Sequence, residues 1–163
     1  MTETYLALRD TMLQVWNTMI YDDNRKIRTL RNLLHELNVS TPELKTELQA
    51  YEDRLDHLLE IRYDQESMSD PERVIEYDLA SHKLVTEIIA LTESQPQFSY
   101  NTTLQKMVDF IRLADNRVMN HRVDYDDIAS RFNQFIDRNR DLLDDVHVDN
   151  VLDKRPLFRM TSE

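Results

Sequence analysis

Glycine and cysteine are both missing from this chain of 163 residues. Without cysteine there is no disulfide, no thiolate nucleophile and no cysteine-bound zinc. Without glycine, phosphate-binding loops, tight hairpins and nucleophile elbows lack the residue that adopts their backbone conformations most easily. These two absences argue strongly against strand-rich folds and nucleotide-binding α/β folds.

The chain also has few positive charges relative to negative ones: it contains 20 Lys and Arg and 31 Asp and Glu, for a formal net charge of −11. Such a chain repels nucleic acid and anionic lipid on average, so we expect no nucleic-acid partner. No run approaches the roughly 20 apolar residues of a membrane span. The N-terminal MTETYLALRD also lacks the basic-then-apolar pattern of a signal peptide. We therefore expect a soluble chain that is not secreted by that route.

What the sequence does contain is helical periodicity. Apolar residues recur every three or four positions from Asn101 to about Val146, with a polar interruption at His121. Three earlier segments have the same spacing, and the prolines fall between segments or in the first turn after Thr41 and Asp70. Four helices are predicted, over residues 2–37, 42–67, 71–93 and 102–146, with a tail over 147–163. Thr41, Asp70 and Asn101 are the expected N-caps.

Short connections between these helices favour antiparallel neighbours. The sequence therefore predicts an all-α fold, with residues 1–163 forming one domain that is an elongated antiparallel up-down-up-down four-helix bundle. At 1.5 Å per residue, the first and last helices would reach roughly 55 and 65 Å, and the middle two roughly 38 Å. The long first and last helices must then continue together as a two-helix stalk.

A set of short motifs also runs through the chain in a recognisable order. They are Leu8-Arg9, Val15-Trp16, Arg25-Lys26, Leu30 to Leu34, Pro96-Gln97-Phe98 through Asn101, Asp115-Asn116-Arg117-Val118, Tyr125, Phe132-Asn133 and Arg155-Pro156-Leu157-Phe158. Together they resemble the sequence pattern of the LemA family. The resemblance implies that the family motif is carried by Arg9, Trp16, Arg25, Asn32, Asn116, Arg117, Tyr125 and Asn133. The chain departs from the pattern at Val15, where the family has alanine, and at Arg31, where it has proline.

The resemblance implies a bacterial helical-bundle protein tethered by one N-terminal transmembrane helix, with the bundle on the cytoplasmic side. The resemblance does not imply any enzymatic reaction. Because the sequence shows no such anchor, two interpretations stay open: the anchor precedes Met1, or the chain is a soluble, divergent member. We expect a cytoplasmic location, at or near the inner face of the membrane.

Some four-helix bundles hold a di-metal site that is built from Glu-x-x-His pairs projecting into the core. None of the five histidines has a glutamate three positions before it, and only His147 has an aspartate there, Asp144. We therefore expect no metal, no cofactor and no catalytic residue, and we expect that the protein is not an enzyme.

Charged residues interrupt the apolar stripes at Asp23 in the first helix and at His121 and Arg122 in the last. These positions meet in an antiparallel pair, so we predict that Asp23 and Arg122 form a buried polar layer that fixes the register. His121 is expected to be a hydrogen-bonded core histidine. Trp16 is expected to be a core anchor against the middle of the last helix, near Val118 or Tyr125.

A basic cluster lies in the first helix. Its members are Arg25, Lys26, Arg28 and Arg31. We expect it to pair with the acidic faces of neighbouring helices, and the alternative is a site for an anionic partner. Asn116 and Arg117 are expected to form hydrogen bonds between helices, with a functional pair as the alternative.

The favoured function is a non-enzymatic scaffold or interaction protein whose stalk binds a protein partner, such as a membrane protein, or a second copy of the chain. No small-molecule substrate is expected. The stalk carries more apolar residues than two helices can bury, and such surfaces mark interfaces. The candidate interaction residues are Tyr5, Leu8, Phe132, Phe135, Leu142 and Leu143, partly covered by the tail. The alternative is a bundle enzyme or small-ligand carrier with a polar core around Asp23, Asn116 and Arg122.

Overall fold

The computed structural model describes residues 2–62, 64 and 70–143. Over those residues the chain forms four α-helices and no strand. They are α1 (Thr2–Ser40), α2 (Lys45–Glu60), α3 (Pro71–Glu93) and α4 (Thr102–Leu143). Short 3₁₀ turns, Pro42–Leu44 and Pro96–Ser99, precede α2 and α4. The predicted all-α class is confirmed.

Helix lengths follow the predicted contrast between outer and middle helices. α1 has 39 residues and α4 has 42, about 58 and 63 Å at the helical rise, whereas α2 has 16 and α3 has 23. The bounds of α3 are those predicted. The predicted second helix, 42–67, is too long at both ends, because the 3₁₀ turn occupies its start and the helix stops at Glu60. The predicted end of the last helix, at residue 146, lies outside the described residues.

Two of the three predicted N-caps are confirmed. The side chains of Asp70 and Asn101 each accept a hydrogen bond from the backbone N–H three residues later, at 3.2 Å. Thr41 occupies the N-cap position of the first 3₁₀ turn, but its side chain makes no capping bond and instead accepts a hydrogen bond from Gln97 Nε2 at 2.6 Å. This bond joins the α1–α2 turn to the α3–α4 turn.

The most extensive helix contact is between α1 and α4. Tyr5 packs against Phe132, whereas Lys26, further along α1, contacts Asp115, an earlier residue of α4. Residue numbers thus rise along α1 as they fall along α4, which is the order for antiparallel helices. The complete up-down-up-down arrangement stays a prediction, with which this order agrees.

The apolar seam of α4 is not a strict heptad stripe. Met107, Ile128 and Phe135 are half-buried, while their neighbours Val108, Ala129 and Ile136 are buried. A helix with 3.6 residues per turn drifts relative to a strict heptad repeat, so the buried stripe moves around the helix. The backbone of α4 also leaves helical geometry at Asn139 (φ −122°, ψ 15°), where the prediction had an uninterrupted helix.

The α2–α3 connection reaches α1 at the level of Trp16, whose Nε1 donates to the backbone carbonyl of Asp64 at 2.9 Å. On the N-terminal side of this level, α1 continues against the C-terminal part of α4. We call this part, residues 2–12 of α1 and 128–143 of α4, the stalk. It corresponds to the predicted two-helix extension.

Candidate functional site: a charged layer between the helices

Lys26 lies near the middle of α1, and its side chain is only 1% exposed. Its Nζ is 3.1 Å from Asp23 Oδ1 in the preceding turn and 3.2 Å from Asp115 Oδ1 on α4. It also donates to Ser81 Oγ on α3 at 3.2 Å. Removing an ion from water costs several kcal/mol unless partners compensate. One ammonium group therefore ties three helices together, and its partners make its burial tolerable.

Asp23 has a second partner on α3, because the Tyr77 hydroxyl donates to its Oδ2 atom. The Asp23 carboxylate is thus held between an ammonium on its own helix and a phenol on another. Together with the adjacent ion pairs, these groups form what we call the charged layer. It consists of Asp22, Asp23 and Lys26 on α1, Tyr77, Asp78 and Ser81 on α3, and Asp115, His121 and Arg122 on α4.

Two further pairs flank the centre of the charged layer. His121 Nε2 lies 2.7 Å from Asp22 Oδ2, so this histidine is hydrogen-bonded in the way predicted. Arg122 forms an ion pair with Asp78 on α3. The predicted pair of Asp23 with Arg122 is therefore wrong, because each residue is held by a different partner. The polar layer itself lies at the predicted level of α1 and α4.

Trp16 is buried against α4 as predicted. Its ring centroid is 5.0 Å from that of Tyr125, with the planes inclined at 54°. Aromatic pairs with tilted planes at this separation add about 0.5–1.5 kcal/mol beyond the area that they bury. The indole N–H donates a hydrogen bond to the Asp64 carbonyl. Both the ring and the N–H group of Trp16 therefore have a structural role.

Two features are absent from the part of the chain that the structure describes. No group of three or more His, Asp or Glu side chains is arranged to hold a metal ion. None of the helices in that part is long and apolar enough to cross a membrane.

The sequence profile of the LemA family matches residues 42–144, well over half of the chain. The chain belongs to the LemA family. The match contains the α3 and α4 parts of the charged layer, whereas α1 lies outside it. No curated protein and no solved structure matches the chain.

The residues that resemble the LemA motif separate into three groups by exposure. Trp16 and Tyr125 are buried; Arg9, Arg25 and Asn133 are half-buried; Asn32, Asn116 and Arg117 are exposed. Among the described residues, Asn116 and Arg117 make no side-chain hydrogen bond, so the prediction that they bridge helices is wrong. The alternative polar core around Asp23, Asn116 and Arg122 is not assembled either, because Asn116 lies on the exposed side of α4.

The stalk is more closed than predicted. The ring centroid of Tyr5 lies 5.6 Å from that of Phe132 and 6.5 Å from that of Phe135. Tyr5 and Phe132 are buried, so the prediction that they form an exposed surface is wrong: the rings pack against each other across the two helices. Leu8 and Phe135 are half-buried. The side chains of Leu142 and Leu143, and the tail over 147–163, lie outside the described residues.

Half of the basic cluster pairs as predicted. Lys26 enters the charged layer, and Arg31 Nη2 lies 2.6 Å from Asp56 Oδ1 on α2. The Arg31 pair is exposed on both sides, so it contributes little to stability.

The other half of the cluster does not pair. The Arg25 guanidinium lies over the rings of Phe110 and Tyr21, with its carbon 5.1 and 5.7 Å from the two centroids. Arg28 is exposed. Within the described residues neither arginine forms an ion pair with an acid, contrary to the prediction.

Sequence reasoning missed Lys26 as the centre of a site. The signal was its position, seven residues after Met19 and four before Leu30, which places it on the apolar stripe of α1. A lysine on such a stripe must find buried partners, and Asp23 one turn earlier was the nearest one.

Proposed function

We propose that this LemA-family protein is a non-enzymatic helical scaffold that acts by binding a protein partner. The observation that carries this proposal is the pairing of Lys26 with Asp23 and Asp115 inside the charged layer. Buried ionic groups of this kind are best known for fixing helix register.

A bundle enzyme or ligand carrier needs polar groups that are free to meet a substrate in a concave pocket. In the charged layer, by contrast, the ammonium of Lys26 contacts two carboxylates and a hydroxyl. Any use of this group in chemistry would break contacts that join three helices. This reasoning supports a structural role for the layer and leaves the outer helix faces for function.

We also propose that the protein acts at or near the cytoplasmic face of the membrane. The support for this location is the resemblance to the LemA family, whose members usually carry an N-terminal transmembrane anchor. Fractionation of the natural gene product tests it: we expect the protein in the membrane fraction, and recovery of all of it in the soluble fraction would contradict the location.

The stalk stays a candidate surface for self-association or for a membrane-protein partner. Leu8 and Phe135 supply the half-buried apolar residues of this surface. Analytical ultracentrifugation of the wild type beside Phe135→Glu tests self-association, which we expect to weaken in the variant. A wild type that stays monomeric at high concentration would contradict it.

Two measurements on the purified protein separate a scaffold from an enzyme or carrier. Elemental analysis is expected to find no stoichiometric metal, and a thermal-shift screen of metabolites is expected to find no saturable rise in Tm. A ligand present at 100 times its Kd would stabilise the protein by about 2.7 kcal/mol, which such a screen detects readily. Stoichiometric metal, or a saturable stabilisation by one metabolite class, would contradict the scaffold proposal and favour the alternative.

A further inference from the structure

A face rich in cations and aromatic rings runs along α1 and α4. Its members, which we call the basic face, are Tyr21, Arg25, Arg28 and Asn32 on α1 and Lys106, Phe110, Leu113 and Arg117 on α4. In each helix the four residues are spaced by four, three and four positions. At 3.6 residues per turn, that spacing keeps all four within an arc of about 60° on one side of a helix.

The contact between Arg25 and Phe110 places the two stripes side by side. The Arg25 guanidinium lies 5.1 Å from the Phe110 centroid and 5.7 Å from that of Tyr21. The two stripes therefore meet at Arg25 and Phe110. This face is open to solvent, since Tyr21 is 62% exposed and Leu113 is 50% exposed.

The basic face carries four cations in a protein whose formal net charge is −11. They are Arg25, Arg28, Lys106 and Arg117. Within the described residues none of the four forms an ion pair with an acid, although the chain contains 31 acidic residues. On an acidic protein, cations that form no ion pair and lie beside exposed apolar groups are typical of a surface that binds acidic residues of a partner.

Acidic residues limit the extent of this surface. Asp109 lies on α4 beside the stripe, and Asp124 continues the stripe two turns beyond Arg117. From Tyr21 to Asn32, the face is about 17 Å long at the helical rise. This length matches three turns of a helix.

We propose that the basic face binds an acidic amphipathic helix of a partner protein. The partner's carboxylates would pair with Arg28 and Arg117, and its apolar residues would cover Leu113 and the exposed ring of Tyr21. Recognition of an amphipathic helix in this way combines apolar anchors with bidentate contacts from arginine to carboxylates. The proposal rests on the scaffold function and names the surface through which it operates.

Nucleic acid and anionic bilayers are less suitable occupants. Both present extended negative charge, which would meet the flanking acids and the overall charge of −11 as well as the four cations. A single short helix reaches the cations without covering the acidic surfaces beyond them.

A defined probe tests the proposal on the full chain. The probe is a fluorescein-labelled 14-residue peptide with leucine at helical spacing and glutamate elsewhere, and fluorescence anisotropy measures its Kd. The same leucine positions with lysine in place of glutamate provide the charge control. Vesicles of phosphatidylcholine with phosphatidylserine, and a single-stranded oligothymidylate, represent the other two classes of anionic partner.

The variants are matched in charge. Arg28→Glu with Arg117→Glu reverses two cations of the basic face, whereas Lys45→Glu with Arg62→Glu reverses two exposed cations on and just after α2. We expect the first pair to weaken glutamate-peptide binding by about tenfold or more and the second by less than about twofold. Circular dichroism checks that all variants fold, and Arg28→Gln with Arg117→Gln replaces the reversal if that variant is unstable.

Several outcomes would overturn the proposal. They are no binding of the glutamate peptide, equal loss in both charge-matched variants, or binding of vesicles or oligothymidylate that depends on Arg28 and Arg117 while the peptide does not bind. Any of these would remove the basic face as a helix-binding site and would leave the scaffold function standing. Failure of the scaffold function is recognised separately, by stoichiometric metal or by a metabolite that stabilises the protein.

Discussion

Replacing Lys26 with methionine tests the charged layer at its centre, because the variant keeps the length of the side chain and removes its charge. Of the partners left behind, Asp115 is 27% exposed and can regain water, and the Ser81 hydroxyl can rotate to another acceptor. Asp23 cannot, since its side chain is 2% exposed and keeps only the Tyr77 hydroxyl. One buried carboxylate without a counter-ion is expected to cost about 3–5 kcal/mol of unfolding free energy.

The assay is urea denaturation followed by far-UV circular dichroism, with two control variants. Lys26→Met combined with Asp23→Asn removes both charges and is expected to recover at least half of the loss. Arg31→Met makes the same change in an exposed pair on the same helix, and it is expected to cost no more than about 1 kcal/mol.

Two results would refute this reasoning. One is a loss below about 1 kcal/mol for Lys26→Met, which would mean that water or another group compensates the Asp23 carboxylate. The other is a Lys26→Met, Asp23→Asn double variant whose loss equals the sum of the losses for Lys26→Met and Asp23→Asn measured alone, which would mean that the two residues are not energetically coupled.

Three further predictions concern other contacts. Trp16→Ala is expected to cost about 3–5 kcal/mol in chemical denaturation, as a large-to-small core change, and a loss below about 1 kcal/mol would place the indole at the surface. A double-mutant cycle of Asp78→Asn with Arg122→Met is expected to give a coupling energy of about 0.5–3 kcal/mol, and additive effects would contradict the pair. The hydrogen bond from Arg54 lowers the pKa of Glu87 below 4.5, so the stability that Glu87 adds should be present above that pH and disappear as the pH falls. Because this pair is largely exposed, wild type and Glu87→Gln should differ by at most about 1 kcal/mol at neutral pH and converge in acid, and a constant difference would contradict the ion pair.

The helices were predictable because their signals are local. The spacing of apolar residues, the absence of glycine, and an N-cap followed by proline at Asp70 all act within a few positions along the chain. Thr41 shows where local signals fail. Its hydroxyl is used by Gln97, 56 residues away, and no preference for capping residues contains that information.

The level of the charged layer was predictable, but its pairing was not. Asp23 and Arg122 stand out as polar interruptions of two apolar stripes. What the pattern does not contain is the register of α3 against α1 and α4. That register brings Tyr77 to Asp23 and Asp78 to Arg122.

The basic face was only partly visible in the sequence. Arg25 and Arg28 belonged to a cluster expected to pair with acids, and nothing in their spacing distinguished them from Arg31. The difference is rotational, because Arg31 reaches Asp56 on α2, whereas Arg25 lies over Phe110 and Arg28 is exposed to solvent. Only the packing of α1 decides which cations find an acidic neighbour.

The most direct test of a scaffold that acts through the basic face is site-specific photo-crosslinking in the cells that make the protein. A photoreactive amino acid replaces Leu113 in the basic face, and in a second strain Leu79 of α3, which is 70% exposed. We predict one discrete protein adduct from Leu113, attached through an acidic helical segment and lost in the Arg28→Glu, Arg117→Glu background. Absence of any adduct at Leu113, or equal adducts from both positions, would contradict a scaffold that acts through this face.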